Sequence, residues 1–230
     1  MQNRLRENLA EIKKRIERAA GNCGRNADEI KLVAVSKTHP AEILREAIAA
    51  GARVFGENKI QEASGKIEIL GRENLEWHLI GHLQANKARR AVKLFDVVHT
   101  LDSVELAERL ERICLEENRR SLSVLVQVDL ANETTKNGVK EADLPKLIEF
   151  LNSCERLKIT GLMTLPPFFD EAEMARPFFR RLRELRDALL PNGELSMGMS
   201  HDFEIAIEEG ATIVRVGTAI FGERNGTPSS

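Results

Sequence analysis

The sequence contains no tyrosine, a single tryptophan and only 4% aromatic residues. No phenolic acid or base is therefore available to a site built from this chain alone. Its three cysteines, Cys23, Cys114 and Cys154, are odd in number and widely spaced. That spacing fits neither a disulfide framework nor a zinc site, and a reducing compartment is expected. No apolar run is long enough to span a bilayer, and Met1 opens a charged amphipathic segment, not a secretory signal. A formal net charge of -2 gives no general attraction for nucleic acid or an anionic membrane. The basic runs Lys87-Ala88-Arg89-Arg90 and Arg180-Arg181-Leu182-Arg183 fall on helical patterns and read as solvated faces. No G-x-G-x-x-G follows a strand-like run, which disfavours a dinucleotide site. The expectation is a cytoplasmic protein with neither nucleic acid nor membrane among its partners.

What is present is a regular alternation. The chain has 230 residues, 42% of them hydrophobic, enough to bury one sizeable core. Leu5, Leu9, Ile12 and Ile16 form one stripe of an opening helix. Strand-like runs follow at Lys31–Ser36, Arg53–Gly56, Glu76–Ile80 and Asp96–Thr100, then at Ser123–Leu130, Lys158–Thr164, Leu195–Met199 and Thr212–Gly217. Helical patterns lie between them, among others at Ala41–Ala50, Val104–Glu117, Asp143–Ser153 and Pro177–Leu190, with a further one at Phe203–Glu208. Eight strands with helical crossovers predict a parallel sheet closed into a (β/α)8 barrel, the extra N-terminal helix closing the outer ring. An open doubly wound sheet is the alternative. The barrel domain is expected to span residues 1–224, with a disordered polar tail over residues 225–230.

Period-two alternation puts Val33, Val35 and Lys37 on one face of the first strand. A lysine in line with buried valines is partly desolvated, which favours the neutral amine needed to condense with an aldehyde. Taken alone, a lysine snorkelling to solvent is the simpler reading. Barrel chemistry gathers at the C-terminal strand ends, with phosphate often after the seventh and eighth strands. Lys37 leaves the first strand, Asn58 the second, Ser200 the seventh and Gly217-Thr218 the eighth. Parity agrees, since Val54, Gly56 and Asn58 share a face, as do Ile213, Arg215 and Gly217. Arg215, flanked by Val214 and Val216, needs a partner, because an unpaired buried guanidinium is costly. Gly217 lets a ligand approach the backbone, and the Thr218 hydroxyl beside open amides suits a phosphate. A lysine, an arginine and a phosphate cradle together match the needs of pyridoxal 5′-phosphate. His78 reads as a core histidine bonded to a neighbour, and Met163, Met197 and Met199 as core filling. His99 and Asp102 have metal-compatible chemistry but no supporting cluster, so no metal is assigned.

Several segments carry a resemblance that spans almost the whole chain. They are Ala34-Val35-Ser36-Lys37-Thr38, Phe55-Gly56-Glu57-Asn58, Trp77-His78-Leu79-Ile80-Gly81, Leu83-Gln84-Ala85-Asn86-Lys87, Gly161-Leu162-Met163, Leu195 to Ser200 with Asp202, and Arg215-Val216-Gly217 through Ile220-Phe221-Gly222. In order and spacing the chain resembles the pyridoxal-phosphate homeostasis protein family, whose fold is similar to the N-terminal barrel domain of alanine racemase. One departure is Lys59, where the family usually has a tyrosine. The resemblance implies that Lys37 holds the cofactor as a reversible Schiff base and that Arg215 faces its pyridine nitrogen. It implies that Ser200, Gly217 and Thr218 hold the phosphate and that Asn58 lines the cofactor. Lys136 matches a family loop lysine, either a secondary transfer site or simply an exposed lysine. The implied function is intracellular homeostasis of the cofactor (vitamin B6) without substantial turnover, with cofactor-dependent apo-enzymes as recipients. A monomer is expected, since the chain ends at the barrel and lacks the domain that scaffolds the racemase dimer. An amino-acid racemase is the alternative, but those enzymes set a tyrosine opposite the lysine and this chain has none. A Schiff-base aldolase without cofactor leaves Arg215 and the cradle without a joint role.

Overall fold

Short β-branched runs bounded by polar turns form strands, and the longer amphipathic patterns between them form the crossover helices. The structure, a computed structural model, describes residues 2–131 and 137–222. The strands are β1 (Lys31–Val35), β2 (Val54–Glu57), β3 (Glu76–Leu79), β4 (Val97–Leu101), β5 (Leu122–Asp129), β6 (Val139–Lys140), β7 (Leu157–Met163), β8 (Glu194–Ser196) and β9 (Ile213–Val216). The helices are α1 (Gln2–Asn22), α2 (Ala41–Ala49), α3 (Ile60–Leu70), α4 (Ala88–Leu94), α5 (Val104–Glu116), α6 (Leu144–Ser153), α7 (Arg176–Leu189), α8 (Phe203–Glu208) and α9 (Thr218–Phe221). Neighbouring strands pair in parallel in the order β4-β3-β2-β1-β9-β8-β7-β5, and β4 also pairs with β5, which closes the eight-stranded barrel. The two-residue β6 is appended to β5 and was not expected from the sequence. The short α9, directly after Gly217, was not expected either.

Parity divides the apolar residues into two bodies. Val33, Val97, Leu125, Met163 and Ile213 point inward and fill the barrel. Phe55, Trp77, Leu79, Val98 and Leu195 point outward and form the main core with the helices. The stripe Leu5, Leu9, Ile12 and Ile16 of α1 is buried, each side chain contributing roughly 1.5–3 kcal/mol relative to exposure. It lies against α2, α8 and α9, so α1 closes the ring as expected. Two polar links reinforce that closure: Asn8 Nδ2 donates to the Ile220 carbonyl at 2.8 Å, and Arg15 makes a two-point pair with Glu204 at 2.7 and 3.2 Å. All three cysteines are free, and burial pushes the Cys114 and Cys154 thiols up to about 11, which disfavours reactive thiolates. No helix among the described residues is long and apolar enough to cross a membrane. Lys136 and the tail over residues 225–230 lie outside the described residues.

Candidate functional site

A cavity of about 470 Å³ opens at the C-terminal end of the barrel strands. Lys37, Asn58, Ser200, Arg215, Gly217 and Thr218 all line it, so the residues singled out from sequence converge on one place. Lys37 stands two residues beyond β1, half-buried, on the inward face shared with Val33 and Val35. Asn58 follows β2 with the same parity and is half-buried. Lys59, where a tyrosine was the family expectation, is exposed and precedes α3.

Arg215 forms the floor. Its side chain is buried, Nη1 donates to Ser196 Oγ at 2.5 Å, and Nη2 donates to the Thr164 carbonyl at 2.9 Å. The partner that burial demanded is thus supplied by neutral acceptors, and no carboxylate among the described residues is hydrogen-bonded to it. Burial lowers its pKa to about 10, opposed by the charge of Asp202, so it remains a cation near neutral pH. A guanidinium whose hydrogen bonds go only to neutral acceptors favours a ligand with an acceptor atom or negative charge.

The exit of β9 supplies a backbone cradle. Gly217 N and Ala219 N both donate to Ser200 Oγ, at 3.2 and 3.3 Å. Two amides converging on one hydroxyl oxygen are an arrangement that also accommodates an oxyanion. Space at Gly217 is tight: a Cβ there would sit 3.2 Å from the Val35 carbonyl oxygen and 3.3 Å from Val35 Cβ. Thr218 is exposed at the cavity wall. Ser200 was read as the end of its strand, but β8 stops at Ser196 and the intervening residues make a turn. That turn needs Gly198, whose φ is +90° and whose Cβ would lie 2.6 Å from Ala206 Cβ. The Asp202 carboxylate closes it by accepting from Met199 N at 2.7 Å. Met163 and Met197 are core filling as expected, whereas Met199 is 38% exposed and lines the cavity, because the turn carries it out of the sheet.

Sequence reasoning missed the polar chain beneath Arg215. Ser196 Oγ lies 2.9 Å from His99 Nδ1, His99 Nε2 lies 2.7 Å from His78 Nδ1, and His78 Nε2 lies 2.8 Å from Glu76 Oε1. Lys31 Nζ donates to the same Glu76 oxygen at 3.2 Å. One proton assignment gives every link a donor and an acceptor. Arg215 donates to Ser196, the Ser196 hydroxyl to His99 Nδ1, His99 Nε2–H to His78 Nδ1, and His78 Nε2–H to Glu76. Burial holds the His99 pKa well below 6.5, and the charge of Arg215 acts in the same direction, which agrees with a neutral ring there. His78 is thus the core histidine bonded to a neighbour that was expected. The available signal was parity: Glu76, His78 and Ile80 alternate inward, as do Val97 and His99.

A second, more open cavity of about 580 Å³ lies beside His82, Asp102 and Arg109. Its two arginines, Arg109 and Arg112, are exposed and no lysine lines it, so the first cavity is the functional candidate. No group of three or more His, Cys, Asp or Glu side chains among the described residues is placed to hold a metal ion.

The chain is similar to several known proteins. The family described as alanine racemase, N-terminal domain, matches residues 3–225. A pyridoxal phosphate homeostasis protein from Aquifex aeolicus is 44% identical over 225 residues, covering 95% of this chain and 97% of its own. The protein of the same name from Escherichia coli K12 is 42% identical over 234 residues, covering 97% and 98%. The structure of PipY from Synechococcus elongatus with PLP bound superimposes with a TM-score of 0.83 at 41% identity, covering 95% of this chain and all of that one (100%). Alanine racemase from Corynebacterium glutamicum, at 18% identity and a TM-score of 0.68, shares the fold alone.

Proposed function

The chain belongs to the pyridoxal phosphate homeostasis protein family, and from that premise we propose that it binds pyridoxal 5′-phosphate reversibly and serves intracellular homeostasis of that cofactor. One observation carries the reading: a single cavity joins a strand-end lysine, a buried arginine hydrogen-bonded to neutral acceptors, and two converging amides. This donor set suits the group. The Lys37 amine can attach to a carbonyl carbon, Arg215 can donate to a ring nitrogen, and the Gly217 and Ala219 amides with the Ser200 and Thr218 hydroxyls can hold a phosphate. Asn58 lines the same cavity as a neutral polar contact. When bound, the cofactor supplies an aldehyde that a lysine can hold covalently and release.

Arg215 supports a holding role over catalysis. A guanidinium donates a hydrogen bond to a ring nitrogen but does not readily surrender its proton, so the ring is not activated as an electron sink. With no tyrosine in the chain, no phenol stands ready to move a substrate proton on the face opposite Lys37. We therefore read the protein as a cofactor-holding protein without substantial turnover, cytoplasmic and monomeric, delivering to cofactor-dependent apo-enzymes. Its barrel domain is taken to occupy residues 1–224, followed by a short tail. Borohydride treatment of the protein loaded with pyridoxal 5′-phosphate, followed by peptide mass mapping, should place the pyridoxyl group on Lys37. Label solely on Lys59 or Lys136, with Lys37 unmodified, would overturn the assignment.

A further inference from the structure

Behind the cavity, between β1, β2 and α3, lies an ion cluster. Glu57 is fully buried, and the Lys66 side chain is only 6% exposed. Lys66 Nζ donates at 2.7 Å to each of three acceptors: the Ser36 carbonyl, Glu57 Oε1 and Glu62 Oε1. Its three protons are thereby matched to three oxygens. Ser36 Oγ donates to Glu57 Oε1 at 2.5 Å, and Glu62 Oε1 accepts from Thr38 N.

The consequence lies in what the cluster grips. The carbonyl of Ser36 and the N–H of Thr38 belong to the two peptide groups on either side of the Lys37 Cα. One cluster holds both. Thr38 has a φ of +70°, a left-handed conformation unusual for a β-branched residue, and such a conformation persists only where its surroundings enforce it. Stability alone does not call for buried charges here, since apolar residues of similar volume often serve a core as well. The arrangement is also internally costly. Glu57 Oε2 has no recorded hydrogen-bond partner, and burial raises the Glu57 pKa against the pull of Lys66. Sequence carried a signal for this: Ile60, Ala63, Lys66 and Ile67 make up the buried stripe of α3, with a lysine in an otherwise apolar row.

We propose that Lys66, Glu57 and Glu62 are positioning residues for Lys37, locking the Ser36–Thr38 bend so that the amine is presented to the cavity. The inference rests on the attachment role of Lys37 given above. Glu62 offers the cleanest test, because Glu62→Gln retains an oxygen for the Thr38 N–H whereas Glu62→Ala removes it. Two readouts are taken on each protein. Amide exchange at Thr38 is measured without cofactor, and the rate of borohydride-trappable attachment of pyridoxal 5′-phosphate to Lys37 is measured on mixing. Pyridoxine 5′-phosphate, which has the phosphate but no aldehyde, reports binding without attachment.

Glu62→Ala should accelerate Thr38 exchange and slow attachment by about tenfold or more, the scale on which small misplacements act. Pyridoxine 5′-phosphate affinity and Tm should stay near the parent values, and Glu62→Gln should recover most of the attachment rate. Lys66→Met combined with Glu57→Gln, which removes both buried charges and leaves only the partly exposed Glu62 carboxylate without its cation, should slow attachment in the same selective way. Attachment at the parent rate in Glu62→Ala despite faster Thr38 exchange would overturn the proposal, as would equal losses for both ligands in both variants. Absence of any label on Lys37 in the parent would instead overturn the underlying reading. The Thr38 exchange data, which need no cofactor, would then still decide whether the bend is clamped.

Discussion

Ser200→Ala separates the phosphate cradle from every other feature of the site. In the protein alone, Ser200 Oγ accepts from Gly217 N at 3.2 Å and Ala219 N at 3.3 Å, both at or beyond the long end of the usual range. Losing two such half-buried bonds should cost under about 1 kcal/mol of stability, because the amides are left facing a cavity that water can enter. A bound phosphate loses a hydroxyl donor to an anion, worth roughly 1.5–3 kcal/mol. That corresponds to about 10- to 150-fold in Kd. Pyridoxal, which lacks the phosphate, has no use for that hydroxyl and should bind the variant as it binds the parent. The assay is a pair of absorbance titrations, pyridoxal 5′-phosphate and pyridoxal, on both proteins, with Tm as a control for folding. The preference for the phosphorylated form should collapse in the variant. An equal loss for both ligands would mean that Ser200 acts through the fold, and an unchanged preference would remove it from the cradle.

Thr218→Val should weaken pyridoxal 5′-phosphate by about ten- to a hundredfold for the same reason. Gly217→Leu should weaken it through bulk, since even a Cβ at that position stands 3.2 Å from the Val35 carbonyl oxygen; unchanged affinity in both would refute the cradle. Exchange of α-protons in deuterated water should show no multiple turnover across a panel of amino acids, and turnover that vanishes in Lys37→Ala would restore the racemase reading. Exchange confined to Arg215→Glu would support the electronic role of Arg215, because a carboxylate there favours a protonated ring. The Glu76 carboxyl is lowered from 4.5 to about 2, chiefly by its hydrogen bond to His78. A depressed carboxylate contributes stability that is fully present above its unfolded pKa and is lost as pH falls through the folded one. Stability should therefore decline between 4.5 and about 2, and Glu76→Gln should flatten that part of the profile in urea melts. An identical acid limb in the two proteins would refute the coupling.

Much of the site is legible in the amino-acid sequence, because its key positions obey local rules. Period-two alternation aligns Lys37 with Val33 and Val35, and Arg215 with Ile213 and Gly217, and the cavity gathers those residues at the strand ends. Alternating strands and helices imply the barrel and the closing role of α1, with most element boundaries displaced by a residue or two. The turn through Gly198 is less legible. Its apolar Met197 and Met199 continue a strand pattern, yet the chain leaves the sheet at Ser196 to pack Gly198 against Ala206 and Phe203.

Sequence by itself determined which face of each strand a side chain takes, because that follows from a pleat that repeats every two residues along one chain. Tertiary structure alone decided which inward residues meet. Glu76 and His78 come from β3, His99 from β4, Ser196 from β8 and Arg215 from β9, and the stagger of a closed barrel brings them into one chain. The cluster of Glu57, Lys66 and Glu62 around the Lys37 bend is of the same kind, since a helix face must settle on a strand before its lysine can find a carbonyl. Parity is a property of one strand. Partnership depends on register between strands that are distant in sequence, and closure of the barrel fixes that register.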